Sequence, residues 1–217
     1  MPDIHHFPLF LLSGLLLNLT PGADMLFIAT RSAAQGARAG AMAALGVGAG
    51  CLVHVTAAAV GLSALIAASD VAFGVVKWLG AAYLVWLGIG LLRSRPAAGS
   101  PGAPANVGSH GMQPARLRTV FLQGVLTNVL NPKVALFFLA FLPQFVGPAA
   151  GGQGWAFLFL GVVFTVNGTL FNLGVAWVAA RARRRSAGLQ RLALWARRLT
   201  GGVFVVLGLR LALASRV

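Results

Sequence analysis

Acidic side chains are almost absent from this chain, which has three aspartates and no glutamate among its 217 residues. Asp3 and Asp70 stand outside the long apolar runs, so Asp24 is the one acid within such a run. An enzyme that works with paired carboxylates inside a membrane needs a second buried acid, and the chain has none to offer. Cysteine is just as scarce. Cys51 alone allows no intrachain disulfide and no thiolate cluster, and it gives no reading of the redox compartment. His5 and His6 are adjacent but lack the acidic or cysteine companions that a metal site requires, so no metal and no cofactor is expected. Charged residues of both signs make up only 9% of the sequence, against about 25% in soluble domains.

What fills the chain instead is apolar: 58% of the residues are hydrophobic and the mean hydropathy is +0.84. The formal net charge is +14, yet the arginines fall in short clusters between apolar runs and do not share one solvated face. Nucleic acid is therefore not an expected partner; the lipid bilayer is. About 20 apolar residues cross a bilayer, and six runs approach or exceed that length, at 7–30, 41–66, 71–92, 119–145, 153–180 and 199–214. No basic region precedes the first run and no small-residue cleavage site follows it, so it reads as a retained membrane segment.

Thirteen arginines lie in the first, third and fifth connections, whereas the second and fourth carry no basic residue. The positive-inside rule makes the arginine-bearing connections cytoplasmic and puts both termini on the periplasmic side. Residues 94–113, rich in Pro, Gly, Ala and Ser, read as a cytoplasmic linker. The chain then divides into a three-helix unit at 1–93, a linker at 94–117 and a second three-helix unit at 118–217.

The two units resemble each other. A shift of 111 positions brings Leu19, Pro21, Phe27 and Ala29 onto Leu130, Pro132, Phe138 and Ala140; a shift of 120 brings Lys77, Leu79, Leu87 and Gly88 onto Arg197, Leu199, Leu207 and Gly208. Three is an odd number of spans, so the second unit enters the membrane in the opposite sense. The expected fold is an all-α membrane protein of six transmembrane helices arranged as two inverted three-helix repeats, a transporter signature. In each repeat a small polar residue, Thr20 or Asn131, precedes a proline inside a membrane-length run. That pattern predicts a helix restart with Thr or Asn as N-cap and Pro at the first helical position. Spans one and four are thus expected to be broken at Pro21 and Pro132, which is tolerated at membrane depth where the break lines a cavity.

Asp24 lies one turn past the first break, about 10 Å from the end of its span, where an unpaired acid costs about 2.5–3.5 kcal/mol. Lys133 directly follows the second break, with apolar sequence on both sides for about 15 Å, beyond the reach of a snorkelling lysine. The substrate site is expected where the breaks meet. Thr20, Pro21, Gly22 and Asp24 come from the first, and Asn128, Asn131, Pro132 and Lys133 from the second. Helix N-termini attract anions, so Lys133 would hold a carboxylate and Asp24 an ammonium. The alternative is that Asp24 and Lys133 neutralise each other. His54 shares a face with Gly50, Cys51, Ala57, Ala58 and Gly61 and should point into the bundle. There it serves as a proton relay with Asp24 or forms an inter-helix hydrogen bond. Thr165, Thr169 and Asn172 share one face of the fifth span, with Asn167 on the other side. Lys77 and Arg210 lie close enough to helix ends to snorkel. Gly46-x-x-x-Gly50 fits close helix contact, within the chain or in a homodimer.

Four stretches stand out: Thr20-Pro21-Gly22-Ala23-Asp24, Thr30-Arg31-Ser32-Ala33-Ala34-Gln35-Gly36 with Arg38-Ala39-Gly40, Gly80-Ala81-Ala82-Tyr83-Leu84, and Asn128-Val129-Leu130-Asn131-Pro132-Lys133 leading to Phe141-Leu142-Pro143-Gln144-Phe145. Together they resemble the LysE/RhtB family of amino-acid exporters. The likeness covers nearly the whole chain, with Pro-Gly-Ala at 21–23 where relatives often carry Pro-Gly-Pro. It implies a bacterial inner-membrane protein, not an enzyme, that exports amino acids of the homoserine, threonine or lysine type and is driven by the proton gradient. A passive channel is the alternative reading.

Overall fold

The computed structural model describes residues 4–62, 70–93, 115–147 and 153–181, together with ten residues between 198 and 213. The described residues are mainly helical. In order come α1 (Phe7–Leu19), α2 (Ala23–Gln35), α3 (Ala37–Ala57), which runs on through a π-helical turn at Ala58–Leu62, and α4 (Asp70–Leu92). Then follow α5 (Leu117–Val129), α6 (Pro132–Phe141), prolonged by a 3-10 turn at Leu142–Phe145, and α7 (Gln153–Arg181). Among the described residues the only strand-like pairing is a single bridge between Ile4 and Val146.

By length and composition α3 and α7 can each cross a membrane. The pairs α1–α2 and α5–α6 can each do so as one bent span, with bends of 54° and 50° at the expected breaks. The helix α4 coincides with the third expected span. The sixth, 199–214, lies outside the described residues apart from isolated positions, as do most of the linker, the arginine-rich stretch after Arg181, the side chain of Lys77, and Arg210.

One boundary differs from expectation in a way that matters. The first span was expected to end near residue 30 with Arg31 in a loop, but α2 continues to Gln35. Ala, Ser and Gln continue a helix well enough, and the chain turns only at Gly36, whose φ of 85° suits glycine. Arg31 is consequently buried inside a helix, where its Nη2 donates to Gln123 Oε1 at 2.8 Å.

At the centre α3 packs against α5 and α7. Its small-residue face lets the backbones approach closely: a methyl group on Gly124 of α5 would stand 2.6 Å from the Ala43 carbonyl, and one on Gly50 would stand 2.6 Å from that of Val125. The Gly46/Gly50 motif therefore serves an intramolecular seam, which fixes Asn128 against α3. A second seam joins α4 to the last helical stretch. A methyl on Gly88 would meet Gly201 and Val205, and one on Gly208 would meet Ala81 and Val85. Residues 81, 85 and 88 match 201, 205 and 208 at the spacing of 120, so the contact reads the same from either side. Buried phenylalanines, among them Phe10, Phe137, Phe138, Phe141 and Phe157, fill the space between α1, α6 and α7. The outer faces keep Trp78, Trp86, Trp155, Leu170 and Trp177 exposed, as a lipid-facing surface requires.

Candidate functional site

The two breaks are built differently. At the first, Thr20 is extended (φ −72°, ψ 112°) because the following proline disfavours the helical region for its neighbour. Gly22 is extended too, so α2 restarts only at Ala23, with Gly22 as an N-cap that has no side chain to offer. The expected role of Thr20 as N-cap, with Pro21 at the first helical position, is thus corrected. Thr20 closes α1, and its hydroxyl donates backwards to the Leu16 carbonyl at 3.0 Å. At the second break the expectation holds. Asn131 caps α6, its Oδ1 accepting from the Lys133 amide at 3.0 Å, and Pro132 stands in the first turn.

Side chains of the second break then reach across to the first. Lys133 Nζ donates to the carbonyls of Leu17 and Thr20, at 3.1 and 3.0 Å. The Leu17 carbonyl also accepts from the Thr20 amide at 3.1 Å, whereas the Thr20 carbonyl lies past the end of α1, and an ammonium at a helix C-terminus suits both these oxygens and the helix dipole. Asp24 Oδ2 accepts from Asn128 Nδ2 and Asn131 Nδ2, each at 3.0 Å. Among the described residues no direct ion pair joins Asp24 to Lys133; each charge is held by polar groups of the opposite break.

Between them lies a cavity of about 40 Å³, room for about three waters at ~10–15 Å³ each. Of the residues expected to form the substrate site, Thr20, Gly22, Asp24, Asn128 and Lys133 line it. Pro21, Asn131 and Pro132 do not: the prolines shape the backbone, and Asn131 holds Asp24 from behind. His54 also stays off the wall. Its Nε2 lies 3.0 Å from the Asn128 carbonyl, which can only accept, so this nitrogen carries the proton. The ring stacks on Phe138 with centroids 6.3 Å apart. Thr165, Thr169 and Asn172 face the cavity, and Asn167 lies elsewhere, beside an outward groove with Leu15 and Val166.

Asn18 was missed as a wall residue, although an asparagine inside a run of leucines was its visible signal. Three buried polar atoms of this wall have no hydrogen-bond partner: Asp24 Oδ1, Asn128 Oδ1 and Asn18 Nδ2. Asn128 is 2% exposed, and a buried acceptor on a cavity wall calls for a donor from the cavity. Two acceptors and one donor facing a small cavity, with an uncapped helix start and an ammonium beside them, suit a ligand that carries both charges.

The sequence pattern of the LysE type translocators matches residues 15–215. The chain belongs to this family. The match takes in both breaks and every residue of the cavity wall. Among curated relatives of this LysE-type chain, a homoserine/homoserine lactone efflux protein of Salmonella typhi is 32% identical over 94% of this chain and 95% of its own length. A leucine efflux protein of Enterobacter sp. is 30% identical over 94% and 93%. An uncharacterized membrane protein of Vibrio cholerae is 33% identical over 98% and 99%. No solved structure matches.

Proposed function

We propose that this LysE-type translocator is a secondary transporter that exports amino acids across the bacterial inner membrane, driven by the proton gradient, through the cavity between its two breaks. The observation that carries this reading is the pair of unmet acceptors, Asp24 Oδ1 and Asn128 Oδ1, next to the Lys133 ammonium and the uncapped start of α2. A substrate ammonium fits the acceptors. Its carboxylate fits the first amides of α2 and the third N–H of Lys133, whose Nζ lies 3.4 Å from where a methyl on Gly22 would stand. The names of the homoserine and leucine efflux relatives support the class of substrate.

Six spans in two inverted repeats, with both termini periplasmic, complete the proposal. The similar bends of 54° and 50° and the symmetric contact at Gly88 and Gly208 support it. A cavity of about 40 Å³ is too small for an amino acid of eight or more heavy atoms. The helices must part to admit one, with the breaks as hinges, which favours a carrier over a channel. Asp24 takes and gives the coupling proton, and Asn128 links it to His54.

Purified protein in proteoliposomes, offered labelled amino acids with and without a pH gradient, tests the proposal. Saturable flux with counterflow that responds to the gradient is expected. Flux without saturation or counterflow would make the protein a channel, and no flux of any amino acid would remove the export reading. Cysteines placed at residues 105 and 188, with Cys51 replaced by serine, should be labelled only from the cytoplasmic side. Labelling of residue 188 in intact cells would overturn the inverted topology.

A further inference from the structure

We infer that the cavity selects amino acids with uncharged side chains and that Asn172 of α7 sets this selection. The inference rests on the amino-acid reading above and narrows it. Once the ammonium is assigned to Asp24 and Asn128 and the carboxylate to the start of α2, the wall left for the side chain comes mainly from α3 and α7, with Leu17, Met25 and Val134 beside it. Val47, Cys51, Thr165, Thr169 and Asn172 belong to it, and none of these residues is charged. Thr165 is already engaged, its hydroxyl lying 2.8 Å from the Gly161 carbonyl and 3.3 Å from Cys51 Sγ. Gly48 makes room for the Thr169 hydroxyl, which a methyl at that position would strike at 2.5 Å. Asn172 is 8% exposed and turned to the cavity.

A dibasic amino acid brings a second ammonium into this space. A desolvated cation needs its own counter-charge, and the chain cannot supply one. Asp24 is the only acid within an apolar run, since Asp3 and Asp70 lie outside those runs and glutamate is absent. Lys133 on the same wall adds repulsion. A dicarboxylic amino acid fails for the opposite reason, because its extra carboxylate shares the cavity with Asp24. Neutral side chains, aliphatic or hydroxylated, meet neither penalty. The wall offers them both apolar carbon and the polar edges of Thr169 and Asn172.

The test compares leucine, homoserine, lysine and glutamate in proteoliposomes of the unmodified protein, then repeats the comparison with Asn172→Asp and Asn172→Leu. Leucine and homoserine should move at least ten-fold faster than lysine or glutamate at equal concentration. Asn172→Asp, which gives the second ammonium a partner, should raise the lysine-to-leucine flux ratio at least ten-fold, whereas Asn172→Leu should leave lysine excluded. If Asn172→Asp does not insert, Thr169→Asp places the same charge on the same wall and should shift the ratio in the same direction. Lysine flux within three-fold of leucine in the unmodified protein would overturn the selection while leaving amino-acid export standing. A correctly inserted Asn172→Asp protein with an unchanged ratio would overturn the role of Asn172. No flux of any amino acid would overturn both readings together.

Discussion

The two proline breaks bend their spans almost equally, by 54° and 50°, yet they are finished in different ways. The second is self-sufficient. Asn131 caps α6, and Pro132 occupies a position where its missing N–H costs nothing. The first is left more open, because Gly22 cannot cap α2, and at the end of α1 the Thr20 amide is shared between the Leu16 and Leu17 carbonyls while the Thr20 carbonyl lies beyond the helix. Residues of the second break make good part of this: Lys133 takes the carbonyls and Asn131 steadies Asp24. The α2 amides stay uncapped. Two breaks that look alike in sequence are therefore built differently, the second capped and reaching across to hold the first, the first left open.

That difference makes predictions of graded size. The largest effect belongs to Asp24→Asn, which removes the charge at the open break. Flux at matched membrane levels should fall to background, and a mutant that keeps gradient-driven transport would take Asp24 out of the mechanism. Next comes Asn131→Ala. Loss of an N-cap costs about 1 kcal/mol, and here one of two donors to Asp24 goes with it. Thermal unfolding should shift down by roughly 2–4 °C per kcal/mol for a chain of this size, with flux reduced several-fold. The smallest effect is expected for Thr20→Val, which removes only a backward bond to Leu16. It should cost under about 1 kcal/mol and leave flux nearly intact. Equal losses in Asn131→Ala and Thr20→Val, measured side by side, would mean that the breaks are equivalent after all.

Much of this architecture was legible in the sequence, and what was not has physical causes. Proline restarts inside apolar runs marked both bends. The two bends fall at prolines 111 positions apart, and the rarity of acids singled out Asp24. The capping of the first break was misread because the pattern Thr-Pro looks like Asn-Pro. What differs is Gly22, which stays extended and delays the helix to Ala23. The direct pairing of Asp24 with Lys133, one of two readings left open, depended on where two side chains point. Spacing along the chain says nothing of carbonyls at the end of another helix, and those carbonyls hold Lys133. Arg31 was placed in a loop because a basic residue after an apolar run resembles an interfacial end. Its burial goes with a contact to Gln123, 92 positions away, beside the nearer Gln35 and Phe27 of its own helix.

The central claim is that the open first break, assisted by Lys133, receives a substrate carboxylate. Lys133→Gln tests it most directly, because glutamine keeps an N–H donor at this position while the positive charge is lost. Binding of an amino acid and of its amide should be titrated against the unmodified and Lys133→Gln proteins. The acid should lose at least ten-fold in affinity, and the amide, which has no negative charge to hold, less than three-fold. Equal losses for acid and amide, with transport restored by the double replacement Asp24→Asn/Lys133→Gln, would contradict the carboxylate site and leave Lys133 and Asp24 as mutual counter-charges.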